Sequence, residues 1–507
     1  MKRTLKRTLT SLAVASAIVA APLAQATNGY FKIGYGSKNR GMAGAGMAYG
    51  QDSLAPSINP AALAGMGDRF DVGVELFNPQ REGTVDATGM VTPDLDGAGP
   101  ATSLSGSKAN ANSGATIFAI PNLGISKDLG NGLTFGFSIT ANGGMNTRYN
   151  QNLYTNAVQT VIGQTSNNVF PSPPNPVGPS GFAGLLETGF GVAPANIDAA
   201  MAQLLSNPAL GPSLGVNLAQ LLITPTIAFQ IGQHNAIGFS PIIGYQRFRA
   251  YGLGLFEGFT SNPGKVTNNG DDDAWGIGAR VGYQGTFGIF SIGASYSSKV
   301  YMQEFSKYEG LFAEQGDFDI PSSYGLGIAI TPVPSLTIAA DVTRVNYSDV
   351  AAINNDGPTA DQFFSAFAFA LSGGTAPGTS VSNPLGTNNG WGFGWDDVTV
   401  YKIGVNYEYN SQWAFRGGFN YAQSPYDDDQ TLFNVLAPGL VEKHVTAGFT
   451  YSPTPDSGIT VTYMHAFRND QSYTYAGSSG GAFAGFSFET ENAMQQNAIE
   501  ISYGAKF

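Results

Sequence analysis

Between Arg69 and the C-terminal Phe507, apolar and polar residues alternate one by one in short runs separated by turn residues. That is the period of a strand with one apolar and one polar face. Fourteen runs can be marked: Arg69 to Leu76, Thr116 to Ser126, Leu133 to Asn142, Thr224 to Ile231, Ala236 to Tyr245, Trp275 to Gln284, Phe290 to Lys299, Tyr324 to Ile330, Leu336 to Thr343, Thr399 to Tyr409, Trp413 to Tyr421, His444 to Tyr451, Ile459 to His465 and Ala498 to Phe507. The clearest sets Tyr401, Ile403, Val405, Tyr407 and Tyr409 against Lys402, Gly404, Asn406 and Glu408. Pro121 interrupts the second run, and proline in sheets belongs at edges or bulges.

The connections alternate long and short. Gly232 to Asn235, Pro332 to Ser335 and Asn410 to Gln412 are short, whereas Asn150 to Ile223 and Asn346 to Val398 are long. An even strand number, short turns at one end and long loops at the other describe a transmembrane antiparallel β-barrel of the bacterial outer membrane. With an even count both chain ends fall on the periplasmic side. The chain ends are informative too. Lys2, Arg3, Lys6 and Arg7 precede the apolar stretch Leu12 to Ala21 and a small-x-small site at Ala24-Gln25-Ala26. This is the pattern of a secretory signal peptide over residues 1–26. The closing strand ends on Phe507, which resembles the aromatic signal read by the barrel-assembly machinery.

Residues 27–67 do not alternate. They hold Gly41 to Gly46, an N-cap candidate at Asp52 and the triplet Asn59-Pro60-Ala61, so compact turns and short helices are expected. With no place in the wall, and too apolar and uncharged for a disordered tail, this segment is assigned to the lumen as a hatch that plugs it. The barrel itself takes residues 68–507.

Composition supports the barrel. Charged residues make up 12% of the 507-residue chain, about half the usual share, and 67 glycines and 12% aromatics suit strands with a lipid face. The absence of cysteine is compatible with an oxidising compartment. A net charge of −12 disfavours nucleic acid as a partner. His234, His444 and His465 lack metal-ligand spacing, and no Gly-x-Ser-x-Gly elbow occurs, so neither cofactor, metal nor enzymatic activity is expected.

Asn28-Gly29-Tyr30-Phe31 through Gly50, Asn59-Pro60-Ala61 and Asp68-Arg69-Phe70 resemble the hatch of the FadL family of outer-membrane long-chain fatty-acid transporters. Gly392 to Asp397 before Tyr401-Lys402, Phe415-Arg416-Gly417-Gly418 with Ser424-Pro425, and Tyr463-Met464-His465 resemble it too. The resemblance spans nearly all of the chain beyond the leader. It implies a fourteen-stranded barrel with a hatch, uptake of long-chain fatty acids or other hydrophobic compounds, and first capture at apolar extracellular loops. It also implies lateral exit at a kinked third strand, for which Gly143-Gly144 are the candidates, since paired glycines mark bulges.

The residues supply further candidates. Leu204 and Leu205 in the stretch Ile197 to Leu222, and Phe363 and Phe364 in Phe363 to Leu371, put large apolar groups in loops expected to face water. They can cover the mouth, capture substrate, or both. Strand parity turns Arg280, Lys299, Lys402 and Arg416 inward, with Asp71, Glu75, Asp341, Glu408 and Glu500. Most are expected to be charge-paired, while Arg280, Lys402 or Arg416 could hold a carboxylate. The chain is expected to act as a monomer in contact with outer-membrane lipid and lipopolysaccharide. A general diffusion porin, or an outer-membrane lipase or protease, are the alternatives.

Overall fold

The computed structural model describes residues 28–90, 108–157, 208–373 and 378–507, with scattered positions between 186 and 202 and at 376. The signal-peptide assignment and the capture candidates Leu204 and Leu205 lie outside the described residues.

The alternating runs become one closed antiparallel sheet. Its wall strands are β1 (Arg69–Asp86), β2 (Phe118–Gly130), β3 (Leu133–Asn146), β4 (Gly215–Ile231), β5 (Asn235–Tyr251), β6 (Asp272–Phe287), β7 (Phe290–Ser297), β8 (Ser323–Val333), β9 (Leu336–Val345), β10 (Val398–Glu408), β11 (Trp413–Ala422), β12 (Lys443–Thr454), β13 (Ser457–Ala476) and β14 (Ser487–Lys506). Each pairs with the next, and β1 closes on β14 from Arg69↔Lys506 to Asp86↔Glu489. Two short strands, Lys108–Asn112 beside the top of β1 and Tyr301–Met302 beside β6, extend the wall locally. Closure of β1 on β14 removes the outermost edges of the sheet, the condition for crossing lipid with strands.

Parity sorts the side chains as alternation requires. Val72, Val74 and Leu76 point outward and are exposed, while Asp71, Glu75 and Phe77 point inward and are buried. Phe135, Phe229, Phe287, Phe290, Tyr407, Tyr409, Phe415 and Phe507 stand exposed towards the turn end, as in an interfacial aromatic girdle. Several strands extend beyond their alternating runs at the loop end. Residues Gly215 to Leu222 belong to β4 and not to an apolar loop. There Val216 and Leu218 on the inner face meet apolar loop side chains instead of a polar lumen, so the period of two fades. Lys299 lies past the end of β7 and pairs with Asp319 at 2.8 Å, outside the regular alternation that placed it in the lumen.

Residues 28–67 fold inside the wall, as a short helix Ser37–Gly41 and two 3-10 turns, Ala55–Ser57 and Pro60–Leu63. The Asn59 side chain accepts from the Ala61 N–H at 3.0 Å and starts the second turn, with Pro60 at the position where its missing N–H costs nothing. Asp52 Oδ1 accepts from the Leu54 N–H at 3.1 Å and makes a turn, not a helix cap. Inward-facing glycines form the seat. A methyl group on Gly282 would collide with the Asn59 side chain, on Gly293 with the Met47 carbonyl, on Gly238 with Pro60, and on Gly404 and Gly418 with Met42 and Ala43.

Candidate functional site

The hatch is pinned to the wall by buried polar contacts. Glu75 takes ion pairs from Lys32 at 2.9 Å and Arg40 at 2.5 Å. Asp341 Oδ2 accepts the N–H groups of Gly46 and Met47 at 2.7 and 2.9 Å. Asp71 Oδ2 accepts the Ser53 N–H and hydroxyl at 2.9 and 2.6 Å, and Asn59 Nδ2 donates to the Tyr283 carbonyl at 2.9 Å. Burial, with the Asp71 carboxylate next in importance, pushes the Asp52 carboxyl up to about 6. Burial likewise pulls the neighbouring Lys38 down to about 8.

Beside the hatch the wall has a window. The β2–β3 ladder stops at Leu123↔Ile139, while β3 stays paired with β4 as far as Asn146↔Asn217. The two chains meet again only at Ser113↔Tyr149, where the Gly114 N–H donates to the Arg148 carbonyl at 2.7 Å. Between these closures β3 is bulged, its register slipping between Ala141 and Gly143. From inside, the start of the hatch takes up part of β3's vacant edge. Phe31 bridges to Gly143, and the Lys32 N–H donates to the Asn142 carbonyl at 3.1 Å. Gly143 is needed for this approach, because a Cβ there would strike the Tyr30 carbonyl. Pro121 falls on the stretch of β2 that has lost its β3 partner, as an edge-seeking residue should.

Above the hatch, towards the loop end, lies an apolar cavity of about 40 Å³ lined by Met145, Phe248, Phe256, Phe312, Trp391 and Phe433 among others, with no charged side chain on its lining. Met145 belongs to the part of β3 that borders the window. The roof is built from loops. The helix Ala360–Leu371 starts with a capping box between Thr359 and Gln362 and presents Phe363 and Phe364 inward. Phe363 packs on Phe259 at 6.0 Å and Phe488 at 4.8 Å between ring centroids, and Phe364 on Phe488 at 5.8 Å. Both rings are buried at 5% and 0% exposure, so the expectation that they face water is not met. A helix with capping and an apolar stripe folds onto a neighbouring apolar surface when one is in reach.

A second cavity, about 70 Å³, lies beside the hatch and is lined by Asn28, Lys32, Tyr35, Arg280 and Lys402 with several hydroxyls, Ser295, Ser297 and Ser323 among them. Two of the three cation candidates therefore share one space, joined by Lys32, which residue parity could not reach because it lies in the hatch. Arg280 spends one donor on the Pro56 carbonyl at 3.1 Å. Lys402 stands opposite Asp341 in register and makes no hydrogen bond or ion pair among the described residues. Arg416 is elsewhere, donating to Gln51 Oε1 at 2.8 Å and Thr450 Oγ1 at 2.7 Å, and holds the hatch.

A closed barrel with a folded lumenal plug, an apolar loop-roofed cavity and a broken ladder beside it defines the class of outer-membrane transport barrels. The chain belongs to the family described as outer membrane protein transport protein (OMPP1/FadL/TodX), whose profile matches residues 17–504. Among solved structures it is similar to the Pseudomonas putida toluene transporter TodX, at 18% identity and a TM-score of 0.57 over 95% of this chain and 100% of that one. A Pseudomonas aeruginosa FadL homologue matches at 14% identity and TM-score 0.57, covering 94% and 100%. The Ralstonia pickettii toluene transporter TbuX matches at 18% and 0.52, covering 94% and 99%. No curated protein sequence matches the chain.

Proposed function

We propose that this chain takes up long-chain fatty acids or comparably hydrophobic compounds across the outer membrane. Substrate collects under the loops, enters the aromatic cavity, and leaves sideways between β2 and β3 into lipid. The observation that carries the reading is the window, bordered by Met145 of the apolar cavity and occupied from inside by Tyr30 to Lys32. A lateral path keeps an acyl chain out of water, whose contact costs about 25 cal/mol per Å² of apolar surface. A cavity of about 40 Å³ is far below the ~300 Å³ of a usual ligand pocket. The structure is therefore the closed form, and the start of the hatch must withdraw before substrate can pass. The cavity holding Lys32, Arg280 and Lys402 suits a carboxylate head group.

Phe363 and Phe364 support capture indirectly, by shaping the roof. Gly143 positions the hatch against the kink, and Gly144 continues the β3–β4 ladder opposite Ala219. The test is uptake of radiolabelled oleate, an alkane and toluene by cells with and without the chain at matched surface expression. Uptake of one or more of these should rise. No rise, or an equal rise in the permeation of small sugars, would discard the reading in favour of a general diffusion porin.

A further inference from the structure

One side chain crosses the window. Arg81 of β1 points inward and is 3% exposed. Its Nη2 donates to the Ala115 carbonyl, on the β2 side of the window. Its Nη1 donates to the Asn146 carbonyl, on the β3 side. Its guanidinium carbon sits 5.8 Å from the centre of the Phe118 ring, and its Nε has no acceptor among the described residues. No carboxylate pairs with it among the described residues. This sets it apart from Arg40, Arg69, Arg247, Arg344 and Arg468, each of which has an acidic partner. A buried arginine held only by neutral carbonyls has its N–H groups satisfied but its charge uncompensated, and a carboxylate would supply the missing counter-charge in bidentate geometry.

We propose that Arg81 is a latch across the window that a carboxylate releases, making acids the preferred substrates of the lateral route. The inference rests on the lateral-exit reading above. At rest the guanidinium ties Ala115 on one edge to Asn146 on the other. An acid arriving from the aromatic cavity offers two oxygens in the fork geometry that guanidinium matches. The charged pair replaces the two carbonyl contacts, and the edges come apart while the head group is held. A neutral compound has nothing to exchange for those contacts and meets a barred window. On the outer side the same edges, Gly114 to Phe118 and Asn146 to Arg148, wall a groove of about 660 Å³ that also carries Arg249 and Tyr251. A departing head group is thus met by Arg148 and Arg249, while the exposed Ile117 accepts the tail.

The experiment compares oleate with methyl oleate, which has the same tail and no charge, in cells expressing the wild type, Arg81→Lys or Arg81→Met. Wild type should take up the acid about tenfold faster than the ester, the worth of one charge-assisted hydrogen bond gained at the latch. Arg81→Met should bring the two rates together, by slowing the acid and speeding the ester, and Arg81→Lys should fall between. The chain has no cysteine, so Thr116→Cys on the window edge gives a second readout. Its maleimide labelling should quicken several-fold with oleate but not with the ester, and be fast without ligand when combined with Arg81→Met. Equal wild-type rates for acid and ester, or an unchanged ratio in Arg81→Met, would overturn the latch while leaving lateral uptake standing. Uptake of neither compound by the wild type would overturn the transport reading and the latch with it.

Discussion

The two halves of the lumen are filled in opposite ways. Near the turn end, the hatch from Gly34 to Leu63 sits on glycines and is fastened by carboxylates and amides, as at Asp341 to Gly46 and Met47. Near the loop end, the filling is aromatic: Phe248, Phe305 and Phe312 pack with centroids 4.7 to 6.1 Å apart, and Phe256, Phe259, Phe363 and Trp391 continue the cluster. Directional hydrogen bonds to buried groups fix one geometry, because any displacement leaves polar atoms unpaired. Aromatic contacts are less directional and can re-form around a guest. The barrel therefore holds a fixed plug below and an adaptable apolar chamber above. Tyr30 to Lys32 lie at the junction, with the Tyr30 ring 6.4 Å from Phe318 and Lys32 paired to Glu75.

If that division is right, the two halves should break separately. Replacing both Phe363 and Phe364 with alanine should have the largest effect, since a buried phenylalanine costs about 3–5 kcal/mol when truncated. The loss should appear as faster amide exchange in the loop-end cluster with the wall and hatch still protected. Simultaneous loss of protection in the hatch would contradict the division. Glu75→Ala should come next. It strands Lys32 and Arg40 without their carboxylate, and breaking a buried ion pair costs about 3–5 kcal/mol. Proteolysis of the hatch should become easier while the heat-modifiable mobility of the folded barrel on gels is kept.

Gly143→Val sharpens the junction. The added side chain would strike the Tyr30 carbonyl. The variant should expel residues 28–32 at a cost of about 1–3 kcal/mol for the two lost backbone contacts. A cysteine placed at Phe31 should then label faster, and an unchanged rate would show that the segment is not seated as described. The smallest effect is a pH dependence in the loop end. Burial, followed by the neighbouring Asp319 carboxylate, lifts Asp317 to about 7. The folded loop then binds more protons than the unfolded one between the ordinary carboxylate range and about pH 7, so its stability falls as pH rises through that window. Protection of the amides around Phe318, taken relative to their base-catalysed intrinsic exchange rates, should be greater at pH 5 than at pH 8, and Asp317→Asn should flatten the difference.

Strand identity, order and direction were legible in the sequence, because lipid outside and polar groups inside impose a period of two that each strand carries by itself. Each of the fourteen wall strands overlaps one alternating run, from Arg69 in β1 to Lys506 in β14, though several run further at the loop end. The inward orientation of Arg280, Lys402 and Arg416 follows from the same parity. What those cations do does not follow. Arg416 is taken by Gln51 of the hatch, and Arg280 and Lys402 meet Lys32 only because the hatch folds between them. Phe363 and Phe364 look like an exposed greasy surface in one dimension and are roof packing in three, since the strand and loops that bury them come from distant parts of the chain. The glycines of the seat, scattered over eight or more strands' worth of sequence from Gly124 to Gly418, have no local pattern. The window is the furthest from the sequence. Asn142-Gly143-Gly144 mark a weak point in β3, but whether a strand leaves its neighbour depends on what competes for its edge. Here the competitors are Phe31, 112 positions before Gly143 in the chain, and Arg81, and only tertiary folding brings either of them to that edge.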